Sequence, residues 1–149
     1  MENLDKLVLE LCKLPQETGW VEFKHNNCDP KMVGEDISAL ANSAVIADRS
    51  YAYMIWGVDD NTHEIIGTKV NLKKEKKGNQ ELENWLRYLL SKNADFEMHS
   101  VDIDGKHVEM LVISKAVGNH PHCNFVDAGG EFHGGKGTAG GKCAGANAL

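Results

Sequence analysis

The chain has 149 residues and 16.4 kDa, 42% hydrophobic and 26% charged, which supplies one core and is too short for two full domains. Its formal net charge of -6 excludes a protein that coats nucleic acid by bulk positive charge, and leaves polyanion contact to local patches. No apolar run approaches a membrane span, the start MENLDKLVLELCK lacks a secretory pattern, and Cys12, Cys28, Cys123 and Cys143 form no CxxC pair; a cytoplasmic protein with reduced thiols and no membrane association is expected.

Leu4, Leu7, Val8 and Leu11 recur at helical spacing and predict a first amphipathic helix ending before Pro15. Trp20 to Lys24 alternates as a half-buried strand does, with Val21 and Phe23 on one face and Trp20, Glu22 and Lys24 on the other. Asp29 and Pro30 open a second helix as cap and first helical residue; Ile37, Leu40, Ala41 and Ala44 form its stripe, and it ends near Ala47. Tyr51 to Val58 is too apolar for an exposed edge and reads as a central strand. Asp59, Asp60 and Asn61 turn the chain into a short return strand from His63 to Gly67.

Lys69, Lys73, Lys74, Lys76 and Lys77 crowd the segment before a third helix, which takes Asn79 as its cap and carries Leu82, Trp85, Leu86 and Leu89 on one face. Phe96 to Ile103 and His107 to Ile113 flank Asp104-Gly105-Lys106, a hairpin signal. The order α-β-α-β-β-α-β-β, without internal repeats, predicts an α+β domain over residues 1–116, a mixed β-sheet with packed helices. Beyond it, 9 of the 15 glycines lie in residues 118–149, so residues 117–149 read as a flexible Gly-rich tail, disordered or non-native.

The lysine segment is the leading candidate for phosphate contact, against a merely solvated loop. Trp56 and Trp85 belong to predicted core faces, whereas Trp20 stays open as a stacking residue. Ser38 and Asn42 share a helical face, with Ser43 beside them; they either touch a ligand or satisfy buried backbone. Gly130 to Lys136 spells G-x4-G-K but continues with Gly137, and neither a strand before it nor a helix after it supports a phosphate loop, so ATP is not expected. His120, His122, Cys123, His133 and Cys143 lack a recognised metal spacing, and no Ser or Cys pairs with His in a nucleophile motif.

Glu17-Thr-Gly-Trp-Val-Glu22-Phe23-Lys24, then Ile37-Ser-Ala-Leu-Ala-Asn42-Ser43, then Trp56-Gly57-Val58-Asp59-Asp60 and Glu64-Ile65-Ile66-Gly67 follow one another in an order that resembles the Schlafen/AlbA-like domain family, formerly called divergent AAA. The match spans roughly residues 15 to 115. The resemblance implies a nucleic-acid-binding module of the kind found in bacterial transcriptional regulators, with DNA or RNA as partner and a homodimer as one assembly. It favours Lys24 and Asn42, beside Lys69, Lys73, Lys74, Lys76 and Lys77, as nucleic-acid-binding residues. The family usually continues past the last hairpin with a further strand and a basic turn, whereas here the glycine-rich stretch begins.

Schlafen ribonucleases carry acids in the patterns E-x4-E-x-K and GVDD, which fall here on Glu17, Glu22 and Asp60. The resemblance thus implies a second reading, an endoribonuclease in which these three hold Mg2+ or Mn2+ and Lys24 meets the phosphate. Residues five apart in an unbroken strand face opposite ways, so Glu17 joins Glu22 only if Gly19 breaks the strand. The plainer reading pairs Glu22 with Lys24 and leaves Asp59 and Asp60 to the turn. Binding without catalysis or cofactor comes first; a third reading, a protein-interaction or dimerisation module, uses an exposed stripe on the first helix.

Overall fold

The computed structural model describes residues 3–16 and 18–126, with the backbone of Phe132–His133. Its elements are α1 (Leu4–Leu11), β1 (Val21–Lys24), α2 (Pro30–Ile46), β2 (Tyr51–Trp56), a 3-10 turn (Leu72–Lys74), β3 (Lys76–Lys77), β4 (Gln80–Glu81), α3 (Leu82–Leu89), β5 (Phe96–Ile103), β6 (Lys106–Ser114), β7 (Phe125–Val126) and β8 (Phe132–His133). Four strands form one mixed sheet in the order β1-β2-β6-β5, with β1 parallel to β2 and the other neighbours antiparallel. This is the α+β architecture that the element order predicts.

Alternation along the strands gives the sheet two apolar faces. Ala52, Met54, Trp56, Leu111 and Ile113 face α2 and α3, which cover them with Val33, Ile37, Leu40, Leu82, Trp85 and Leu86. Val21, Phe23, Tyr53, Ile55, Val108 and Met110 face the other way, against Val8 and Leu11 of α1. The stripe of α1 is therefore spent inside the fold, and its exposure, on which the interaction-module reading relied, is corrected. Among the described residues no helix is long and apolar enough to cross a membrane, and Cys12, Cys28 and Cys123 are free thiols.

Local signals set several boundaries. Asp29 caps α2 by accepting a hydrogen bond from the Met32 amide at 3.1 Å, with Pro30 as its first residue. Asp104 and Gly105, at φ 52° and 78°, form the two-residue connection between β5 and β6, a geometry with positive φ at both centres that suits the sheet's twist. Lys106, expected in the turn, is the first residue of β6.

Three expectations are corrected. The return strand from His63 to Gly67 shrinks to one bridge between Val58 and Ile65, because Gly57, His63 and Gly67 all have positive φ and break the ladder. Asn79 does not cap α3: Gly78 and Asn79 form the tip of the β3–β4 hairpin, and the helix begins at Leu82 with Glu81 at the cap position. The folded unit also continues past residue 116, since Ala116, Cys123 and Phe125 are buried in the core beneath α2 and α3. The rest of the expected tail, apart from the β8 backbone, lies outside the described residues.

The closing segment is fastened at several points. Both amide atoms of Asn42 bind the Cys123 backbone, at 3.0 and 2.7 Å, while the Ser91 hydroxyl accepts from the Asn124 amide and the Ser91 amide donates to the Asn124 carbonyl. The Phe125 ring meets Trp85 edge-on at 5.5 Å and lies against Gly34 of α2. A methyl group at Gly34 would stand 2.3 Å from a ring carbon, so this close approach requires glycine.

Candidate nucleic-acid interface

The lysine segment runs from the end of the β2 turn region to α3, and three anchors fix its root. The Thr68 amide donates to the His107 carbonyl at 2.9 Å, the Lys69 amide to the Asn26 side chain at 2.9 Å, and the Leu72 amide to the Glu109 carboxylate at 2.8 Å. Val70 and Leu72 are buried while Lys69, Lys73, Lys74, Lys76 and Lys77 are exposed, so the backbone is gripped on one side and the ammonium groups stand on the other. Lys73 pairs with Glu83 at 3.2 Å, and Lys77 lies 5.7 Å over the Trp85 ring. Among the described residues, Lys69, Lys74, Lys76 and Lys77 make no ion pair. Burial first, then the charges of Glu75, Glu109 and Asp29, push the Cys28 thiol up to about 12. That thiol is a poor nucleophile at neutral pH.

Glu109 is the centre of the anchorage. Its side chain is 1% exposed, on the α2 and α3 face of β6, directly across from Ser100 and next to Trp56 in register. It accepts hydrogen bonds from the Leu72 amide and the Ser100 hydroxyl, and lies 2.6 Å from His107 Nε2. His107 Nδ1 in turn lies 3.4 Å from Asp102. A carboxylate taken out of water needs this many partners. Sequence reasoning passed over Glu109; the available signal was one carboxylate within the apolar run of a central strand.

Of the three acids that the family pattern selects, Glu17 lies outside the described residues. Glu22 and Lys24 are neighbours on one face of β1, as alternation predicts, and their charged groups are 3.3 Å apart. Lys24 also approaches Asp36 of α2 at 3.7 Å, so its charge is already balanced by two carboxylates. Asp60 is exposed in the turn after β2. Its neighbour Asp59 holds that turn by accepting from the Asn61 and Thr62 amides at 2.8 and 2.9 Å; these bonds, the Thr62 one foremost, depress its pKa. No group of three His, Cys, Asp or Glu side chains suited to a cation occurs among the described residues, which do not include Glu17.

The other candidates divide cleanly. Asn42 has the structural task given above, and the Ser38 hydroxyl donates to the Glu35 carbonyl at 2.9 Å within its own helix. Trp56 is fully buried and donates from its indole nitrogen to the Asn27 carbonyl at 2.7 Å, which fixes the loop after β1; Trp85 is core. Trp20 remains half-buried at the sheet edge, with the Arg49 guanidinium 4.0 Å above its ring. Gly130 to Lys136, His133 and Cys143, where the sequence supports neither a phosphate loop nor a recognised metal spacing, fall outside the described side chains.

Comparison with known proteins gives three findings. The fold matches the N-terminal domain of a RecG-related protein from Nitrosomonas europaea, solved by NMR, at a TM-score of 0.56 and 20% identity, covering 97% of this chain and 95% of that one. No match was found among curated protein sequences. The family described as Schlafen, AlbA_2 matches residues 17–136, which take in the whole sheet, the lysine segment and the closing segment. By that match the chain belongs to the Schlafen/AlbA_2 family.

Proposed function

We propose that this chain is a nucleic-acid-binding module, with DNA as its leading ligand, acting within a cytoplasmic transcriptional regulator. The observation that carries the reading is the lysine segment: five exposed ammonium groups on a backbone fastened to β6 and to the loop after β1. Preordering matters, because each phosphate contact made by a fixed lysine costs less conformational entropy than one made by a free loop. With an overall charge of -6, the segment is also the place where a polyanion meets least repulsion. Family membership and a helicase-related structural neighbour are consistent with it.

The test is binding of labelled duplex DNA and structured RNA across a salt series, with Lys73, Lys74, Lys76 and Lys77 all replaced by glutamate. Affinity of the native chain should fall steeply with salt, at a log–log slope of about -0.9 per phosphate neutralised, and the variant should lose both binding and slope. Binding that survives the four substitutions would remove the segment from the account. Running the same RNA with Mn2+ beside Glu22→Ala separates binding from cleavage: intact RNA that still shifts on a native gel supports a binding module, whereas metal-dependent fragments lost in the variant would establish the nuclease reading.

A further inference from the structure

The chain has two arginines, Arg49 and Arg87, used in opposite ways. Arg87 of α3 is saturated: its guanidinium donates to Glu83, to Asp95 and to the Phe96 carbonyl. Arg49, just beyond α2, is exposed and makes no ion pair among the described residues. It is nevertheless held in place. Its amide donates to the Ala44 carbonyl at 2.8 Å as the helix closes through Asp48 at φ 57°, and its guanidinium stacks on Trp20.

Other groups converge on the same end of the sheet. Trp20 stands 6.2 Å from the Tyr53 ring, and Tyr51, the first residue of β2, is 45% exposed. Lys115 is exposed and donates from its amide to the Ser50 carbonyl, so the end of β6 joins the same edge of the fold. A guanidinium stacked by one face on an indole keeps its edge donors for a phosphate and its outer face for a planar ring. Aromatic and guanidinium planes bind bases whose faces are open, and a duplex closes those faces.

We infer that Trp20, Arg49 and Tyr51 form a second nucleic-acid contact that takes an unpaired nucleotide, its phosphate on the guanidinium edge and its base on the outer guanidinium face and the Tyr51 ring, with Trp20 backing the guanidinium from below. The inference rests on the nucleic-acid-binding reading and adds a ligand class to it. Tyr51 begins β2 and Trp56 ends it about 17 Å further along the strand, beside the Glu109 anchor of the lysine segment, so the two contacts belong to opposite ends of that strand. A ligand must therefore reach along the length of β2 to occupy both. A duplex with a single-stranded extension meets this requirement, with paired phosphates on the lysines and the extension on Arg49 and Tyr51.

The experiment compares a blunt duplex with the same duplex bearing a thymidine overhang of about six nucleotides, by fluorescence anisotropy. The native chain should bind the overhang form about tenfold more tightly. Arg49→Ala should erase that preference, lowering overhang affinity by far more than blunt-duplex affinity, with an unaltered circular dichroism spectrum because the residue is exposed. Arg49→Lys should restore only part of it, since an ammonium keeps the charge without the planar stack. No overhang preference in the native chain, or a preference preserved in Arg49→Ala, overturns the inference while blunt-duplex binding keeps the nucleic-acid reading intact. Failure of the native chain to bind either duplex overturns both.

Discussion

Glu109 shows how one side chain governs the placement of several others. Its carboxylate receives the Leu72 amide, the Ser100 hydroxyl and the His107 ring, drawn from three separate stretches of chain. Glu109→Ala would leave the buried Leu72 amide without its acceptor, and should lower stability by about 2 kcal/mol. Glu109→Gln keeps an oxygen for the Leu72 amide and should cost less, about 1 kcal/mol. Urea unfolding measures both, and limited proteolysis across residues 68–77 reads the anchorage of the lysine segment directly. Equal losses in the two variants would show that the bond to Leu72 contributes nothing. None of this network was legible in the sequence, because it depends on the β5 and β6 register and on a contact 37 residues apart. The pairing of Glu22 with Lys24 was legible, since two residues apart on a strand is one side of the pleat.

Among the elements, the closing segment and α2 behave as one unit. Phe125 lies on Gly34, and Asn42 binds Cys123 two turns further along the same helix. Helix propensity alone says that Gly34→Ala should stabilise α2 by about 1 kcal/mol. The new methyl would stand 2.3 Å from a buried ring wedged between α2 and Trp85, and overpacking of that kind costs about 1 to 3 kcal/mol. The clash should therefore win, giving a net loss of about 1 kcal/mol in chemical denaturation. Phe125→Ala should cost more, about 3 to 5 kcal/mol, and in that background Gly34→Ala should become neutral or favourable. Additive losses in the double variant would rule the contact out. The helices and the β5–β6 hairpin could be read in advance from local signals such as Asp29-Pro30 and Asp104-Gly105. The clasp could not, because glycine-rich composition after residue 117 conceals Cys123 and Phe125, whose partners lie some eighty to ninety positions earlier.

At the scale of the molecule, α3 is tied to the sheet and to the lysine segment by a cluster of charges whose state depends on pH. Burial raises the Glu83 carboxyl, but hydrogen bonds and charge from Lys73 and Arg87 outweigh it and leave the group below its ordinary range. Burial likewise opposes, and Arg87 together with the Phe96 amide overcomes, at Asp95. Both carboxylates thus have folded values depressed below their unfolded ones. Their contribution is fully present above the unfolded values and is lost as the pH falls through the folded ones, below the ordinary carboxylate range. Since the Arg87 and Asp95 side chains are 41% and 74% exposed, solvent screening keeps each pair to about 1 kcal/mol or less. Arg87→Met should therefore destabilise the protein at about pH 7, and the deficit should shrink on acidification as the native chain loses the same interactions. A remainder should persist at low pH, because Arg87 also packs 4.1 Å over the Phe96 ring and donates to the Phe96 carbonyl, neither of which titrates. Urea unfolding of both proteins across that range separates the two parts: a deficit independent of pH would assign the whole effect to packing, and a deficit that vanishes would assign it to the carboxylates.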